Sequence, residues 1–315
     1  MNETLPTGHS PVYESLFRQA LLIRLFEEKV IELYPSDRIQ SPVHLSIGQE
    51  AVAVGVCHAL KREDLVFGSY RGHAFYIAKG GDLKQMMAEL YGKVTGCGRG
   101  KGGSMHLAAP EVGFMGSSAV VASTISHAVG AAWAAKLQHK AQVCVTVFGD
   151  GATDEGVYHE SLNFACLQKV PVLFVCENNG LAVHSGAAQR QAYDIVEHAR
   201  TYGLPVERLE AGYDFMAVAE SAGRLVEAIR RDGMPRFIEI KTFRYKEHVG
   251  PGDDFNAGYR SVSAFEAWKQ KDPLCTDLET AARLLPEIRA EIAAAVDFAE
   301  KSPWPSQDEL LAHVI

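Results

Sequence analysis

No stretch of the 315-residue sequence approaches the roughly 20 consecutive apolar residues that a membrane-spanning helix needs. Blocks of like charge are missing too. The 31 lysines and arginines are spread against 39 aspartates and glutamates, a net charge of -8, which leaves no basic stripe and no expectation of a nucleic-acid partner. None of the six cysteines forms a Cys-x-x-Cys pair, which removes the common zinc and dithiol patterns. Three of them, Cys144, Cys166 and Cys176, fall in an apolar region and read as small buried hydrophobes, as suits a reducing cytoplasm. Met1 to Pro6 has neither the basic start nor the apolar centre of a secretory signal, so a soluble cytoplasmic protein is expected. No internal repeat and no linker interrupts the chain.

What is present centres on two short apolar runs. Val143 to Phe148 leads directly into Gly149-Asp150-Gly151, and Val172 to Cys176 leads into Glu177-Asn178-Asn179. Each reads as a strand buried on both faces. Between them Asp154-Glu155 open a segment with Val157, Leu162 and Ala165 at helical spacing, which Lys169-Val170-Pro171 stops. A strand, helix, strand unit makes the two strands parallel, so Asp150 and Asn179 emerge on one sheet edge, about 5 Å apart if the strands are neighbours. One carboxylate, one amide oxygen and a backbone carbonyl just beyond form a hard-oxygen set suited to magnesium and phosphate. Asp-Gly is also the strongest hairpin signal, but no second strand follows it here.

Elsewhere helices and strands alternate. Ser10-Pro11 reads as the start of a long helix to about Tyr34, Ala51 to Cys57 as a tightly packed helix, and Asp82 as the cap of a helix with Met86 and Met87 inward. A helix over Ser126 to Leu137 feeds the first strand; Met216 to Arg230 is a helix, Phe237 to Phe243 a strand, and Lys246 to Gly258 a loop. The pattern is helical from about Ser263. Gly96 to Gly103 contains Gly-x-Gly-x-x-Gly, but after a helical pattern and without the Ser or Thr that should follow Lys101, so a mobile or ligand-approaching loop is expected instead of a phosphate cradle. Of 12 histidines, His58, His127, His139 and His198 read as surface or satisfied core, while His106, His159 and His184 carry no assigned role.

Gly149-Asp150-Gly151 followed by Asn178-Asn179 resembles the fingerprint of thiamine-diphosphate enzymes. More specifically, the chain resembles the alpha subunit of the decarboxylating component of 2-oxo acid dehydrogenases acting on pyruvate, branched-chain 2-oxo acids or acetoin. Gly48-Gln49-Glu50-Ala51, Tyr70-Arg71-Gly72-His73, Gly100 to His106, His159 to Asn163, Phe243-Arg244-Tyr245 with His248, and Trp268-Lys269 with Asp272-Pro273 carry that similarity over nearly the whole length.

The resemblance implies an α/β thiamine-diphosphate-binding fold: a central, mostly parallel sheet flanked by helices, with an N-terminal helix and a C-terminal helical extension. Residues 1–262 would form the diphosphate-binding domain and 263–315 its extension. Asp150, Asn179 and the backbone carbonyl of Leu181 would bind Mg2+. Tyr70 and Arg71 would hold the diphosphate with backbone groups of Gly151 and Ala152, and Ala119 and Val121 would support the aminopyrimidine. His73 and His248 would be the catalytic pair beside the thiazolium. Such a subunit acts with a beta subunit, as two alpha and two beta chains, on a small 2-oxo acid. It passes the acyl unit to a lipoyl acyltransferase.

The sequence also departs from the family. Val249 stands where mitochondrial members carry a phosphorylated serine, which excludes kinase control there, and Leu181 replaces the usual aromatic residue. The altered loop from His248 to Asp254 leaves open a split-chain carboligase or transketolase-like enzyme that does not use lipoamide. A third alternative is a non-catalytic subunit that binds magnesium and phosphate.

Overall fold

The computed structural model describes residues 9–312, so the Met1 to Pro6 reading lies outside the described residues. In chain order the helices and strands are α1 (Pro11–Leu33), α2 (Glu50–His58), β1 (Leu65–Ser69), α3 (His73–Ala78), α4 (Leu83–Leu90), β2 (Phe114–Ser118) and α5 (Ser123–Leu137). There follow β3 (Cys144–Gly149), α6 (Gly156–Gln168), β4 (Val172–Asn178), β5 (Leu181–Ala182), β6 (Ser185–Gly186), α7 (Ile195–Arg200) and β7 (Val206–Leu209). The chain finishes with α8 (Phe215–Asp232), β8 (Arg236–Lys241), α9 (Val262–Lys269), α10 (Pro273–Thr276) and α11 (Leu278–Lys301).

The helix starts obey their caps. Ser10 Oγ accepts the Tyr13 N–H at 3.1 Å with Pro11 in the first turn, and Asp82 accepts the Gln85 N–H at 2.9 Å. Asp214 accepts from Met216 and Ala217, and Gly233, at φ +68°, closes α8 in the left-handed conformation that L side chains avoid.

Six strands pair in the order β2-β1-β3-β4-β8-β7, all parallel, and β5 with β6 forms a separate antiparallel pair. Alternate residues of β3 feed two cores: Val145 and Val147 join the apolar cluster of α1, α2, α3, α4, α8 and α11, whereas Cys144 and Phe148 join that of α5, α6 and α7. All seven residues of β4 are buried, which explains its unbroken apolar run. Cys166, unlike Cys144 and Cys176, is only half-buried. The small residues of α2 serve a close approach to α8: a Cβ at Gly55 would meet the Val218 Cβ at 2.6 Å.

The register sets the site. Phe148 lies beside Cys176 and Gly149 beside Glu177, so Asp150 and Asn179 follow adjacent strand ends. From β1 the chain crosses to β2 on one side and β3 lies on the other, a reversal of strand order of the kind where open α/β sheets bind ligands. Tyr70-Arg71 follow β1 and Asp150 follows β3, which puts them on the two sides of that point.

Candidate coenzyme site

A cavity of about 260 Å³ opens at the switch point. Its walls include Tyr70, Arg71, Val121, Gly151, Ala152, Asn179, Leu181 and His248, residues separated by up to 178 positions in sequence yet brought together by the sheet edge. Ala119 is half-buried and is not among the lining residues; Val120, Val121 and Ala122 line the wall there.

The Asp150 side chain is buried, and Arg190 Nη2 donates to its Oδ2 at 2.6 Å. Oδ1 is buried and, among the described residues, has no hydrogen-bond partner. Burial raises the Asp150 pKa, against the pull of the Arg190 charge. Asn179 accepts the Leu181 N–H at 3.1 Å and donates to Gln49 Oε1 at 3.1 Å, while Asn178 turns away to Glu239 and the Gly180 N–H. An orphaned carboxylate oxygen beside an amide oxygen and a turn carbonyl suits a hard cation. Among the described residues no three His, Cys, Asp or Glu side chains cluster as metal ligands, so the donor set depends on that amide and carbonyl.

Across the cavity, Arg71 is buried, donates to the carbonyls of Leu45 and of His248 (3.3 Å), and lies over the Tyr70 ring. The rings of His44, Tyr70 and His248 pack together with centroids 4.6 to 5.5 Å apart. Burial, then the Arg71 charge, push His248 down to about 4 and His44 to about 3, so both imidazoles are neutral at physiological pH. Glu177 lines the cavity floor, where burial pushes its carboxyl up to about 7 despite Arg71.

That shift has a sign. The folded Glu177 holds its proton above the unfolded carboxyl value of about 4.3, so its charge destabilises the chain progressively as pH rises from about 4.3 through 7. Glu177→Gln should therefore raise the melting temperature at pH 8 and leave it little changed at pH 4. Thermal denaturation across that range checks this, and a variant with the wild-type pH dependence would count against it.

His73 is placed elsewhere. It is buried on α3, with Nδ1 3.1 Å from Glu27 Oε1 and Nε2 2.7 Å from Ser104 Oγ, and it is not among the lining residues. The structure thus brings His248, but not His73, to the cavity, because both imidazole nitrogens of His73 are spent within the core. Glu27 also accepts the Ser46 N–H, so this chain of contacts ties α1 to the segments before α2 and after α4.

Gly96 to Gly103 is neither a phosphate cradle nor a free loop. The Glu89 side chain, fully buried at the end of α4, accepts the N–H groups of Gly98 (2.7 Å), Gly100 (2.9 Å), Gly102 (2.7 Å) and Gly103 (3.0 Å). The loop curls around an anion of its own chain. A Cβ at Gly96 would meet Glu89 Oε2 at 2.3 Å.

Sequence reasoning missed His44, Gln49, Arg190 and Arg244 as neighbours of the site. His44 interrupts the apolar Val43 to Leu45 stretch, a visible signal, and Arg244 lies just past the end of β8, where ligand groups collect. Arg244 is buried, and among the described residues its Nη1 has no hydrogen-bond partner. Arg190 gives no sequence signal. Of the unassigned histidines, His106 is exposed, His159 pairs with His198 at 3.2 Å, and His184 packs on Tyr259.

Sheet order and cavity together define an α/β protein with a ligand-binding cavity at the switch point of a parallel sheet. The family model for the dehydrogenase E1 component matches residues 18–307, and the chain belongs to that family. It is 37% identical over 310 residues to the alpha subunit of acetoin:2,6-dichlorophenolindophenol oxidoreductase of Bacillus subtilis, covering 95% of this chain and 92% of that protein. With the pyruvate dehydrogenase E1 component subunit alpha of Rickettsia bellii it shares 34% over 317 residues, 96% and 95% of the two chains. The alpha subunit of the acetoin oxidoreductase of Cupriavidus necator is 36% identical over 313 residues, 95% of this chain and 93% of that one. The resemblance to a 2-oxo acid dehydrogenase alpha subunit, an oxidoreductase chain using thiamine diphosphate, is borne out. The carboligase alternative is not favoured.

Proposed function

We propose that this chain holds the diphosphate half of thiamine diphosphate through Mg2+, within an enzyme that decarboxylates a small 2-oxo acid and passes the acyl unit to lipoamide on an acyltransferase. The observation that carries the reading is that Asp150 and Asn179 follow the ends of adjacent strands, with Asp150 Oδ1 buried and, among the described residues, without a hydrogen-bond partner. Asp150, Asn179 and the Leu181 carbonyl would hold the cation. Arg71, fixed by two carbonyls, and Tyr70 would hold the diphosphate with the Gly151 and Ala152 backbone; the rim at Ala119 and Val121 would meet the aminopyrimidine. When bound, thiamine diphosphate supplies the nucleophilic carbon and the electron sink.

His248, neutral at working pH, offers one ring N–H and one bare ring nitrogen to move a proton on the substrate. His73 acts as a positioning residue, holding Ser104 and Glu27 in register behind the cavity wall.

A beta subunit would complete the site in a cytoplasmic assembly of two alpha and two beta chains. The alpha designation of the relatives supports a beta partner, and so does apolar surface at the cavity rim, where Val120 is 67% and Val121 43% exposed. No helix among the described residues is long and apolar enough to cross a membrane. The purified chain with Mg2+, thiamine diphosphate and a 2-oxo acid should give no turnover alone and sustained lipoamide-dependent turnover once the beta subunit is added. Full turnover by the chain alone would sink the reading.

A further inference from the structure

The two oxygens of Asp150 have unequal surroundings. Oδ2 is held by Arg190 Nη2 at 2.6 Å, whereas Oδ1 is buried with no hydrogen-bond partner among the described residues. Arg190, with its side chain only 13% exposed, is itself held at two further points: Nη1 donates to Asp154, and Nε donates to the Ser185 carbonyl at 3.2 Å. The next residue reinforces the position, with Gln191 Nε2 donating to the Asp150 carbonyl (3.2 Å), Thr153 Oγ1 (2.6 Å) and Asp154 Oδ1 (2.8 Å). Tyr193 OH donates to the Thr153 carbonyl at 2.6 Å. The segment after β6 is thus fastened to the turn that carries Asp150.

We propose that Arg190 is a positioning residue that sets the cation preference of this site by reserving Oδ2 of Asp150, so that the carboxylate meets a cation through Oδ1 alone. The proposal rests on Asp150 being a cation ligand. A one-oxygen contact suits Mg2+, which demands near-octahedral geometry at about 2.0–2.1 Å. Ca2+, at about 2.3–2.6 Å, accepts more oxygens and gains from a carboxylate that can chelate through both. With the guanidinium on Oδ2 that second contact is closed. Removing Arg190 opens it, and Ca2+ gains relative to Mg2+.

Nothing in Ala187 to Ala192 resembles a ligand motif, and Arg190 reaches Asp150 only because the β5–β6 pair turns the chain back over the end of β3. Its effect on a cation passes through Asp150, since Arg190 itself has only donors to offer.

The test is calorimetric titration of MgCl2 and of CaCl2 into the full chain with saturating thiamine diphosphate, for wild type, Arg190→Ala and Arg190→Lys. The ratio of the two dissociation constants is the readout, because a merely structural loosening weakens both cations alike, and both cations carry the same charge. The alanine variant should lose about tenfold of the Mg2+ preference. Arg190→Lys, which keeps a donor and the charge, should stay within about threefold of wild type. An unchanged ratio in Arg190→Ala, or an equal loss in both variants, overturns the proposal. Asp150→Ala distinguishes its failure from failure of the underlying reading: if that variant binds both cations as wild type does, Asp150 is no ligand at all.

Discussion

Asp150→Ala abolishes magnesium-dependent binding of thiamine diphosphate while the chain still folds. Asp150 contributes the only carboxylate among the three expected cation donors, and among the described residues its Oδ1 has no hydrogen-bond partner, so no internal contact compensates for its loss in the loaded state. A loss of at least about a hundredfold in affinity, near 2.7 kcal/mol, is expected. The fold should tolerate the change because the carboxylate is costly to bury: desolvation already raises its pKa, and its ion-pair partner Arg190 keeps Asp154 when Asp150 is gone. Thermal denaturation separates the two effects. Wild type should gain several degrees with Mg2+ and the coenzyme together, since a ligand at a hundred times its dissociation constant adds about 2.7 kcal/mol. The variant should melt cooperatively near the unliganded wild-type temperature and gain nothing. A variant that keeps the full ligand-dependent rise would remove the cation site from these strand ends.

Glu89→Ala should be the most destabilising single change near the site. Four glycine N–H groups lose the acceptor they share at once, in a place where the side chain is fully buried. Each buried donor left unmade costs about 1–3 kcal/mol, and partial recovery through water brings the total to roughly 3–5 kcal/mol. That is a large share of the ~5–15 kcal/mol that holds a typical domain. Glu89→Gln should fall between, since one amide oxygen still accepts two N–H groups while its NH2 faces the other two. Urea denaturation of the three proteins checks the order. If Glu89→Ala costs less than about 1 kcal/mol, the loop is held by something else. The damage should also reach Ser104, at the end of the same loop, and through it His73.

These two residues mark what can and cannot be seen in the sequence. Asp150 was legible because a parallel strand end is defined locally: an apolar run of fixed length stops, and the register of β3 against β4 follows from one crossover helix. The helix caps at Ser10 and Asp82 are equally local. Glu89 was not legible, because glycine spacing describes how a loop can bend and says nothing of which anion it bends around. His73 stands next to Tyr70 and Arg71 in sequence, yet α3 begins at His73 itself and directs the ring into the core, toward a glutamate 46 positions earlier. Arg190 depends on a short antiparallel pair, β5 with β6, that composition does not announce.

The two apolar cores differ in how far along the chain they are written. The core beneath α5, α6 and α7 is drawn almost wholly from residues 122–204, with Phe67 and Phe237 added from outside. The opposite core joins α1 at one end of the chain to α11 at the other, with Ile288, Ile292, Ala295 and Ala299 packed in the same cluster as Leu16 and Phe26. On a ribosome the first core can close while the chain is still growing, but the second waits for its last helix to emerge. During that interval the apolar side of α1 has no finished partner, so synthesis leaves α1 exposed to mispairing until α11 arrives.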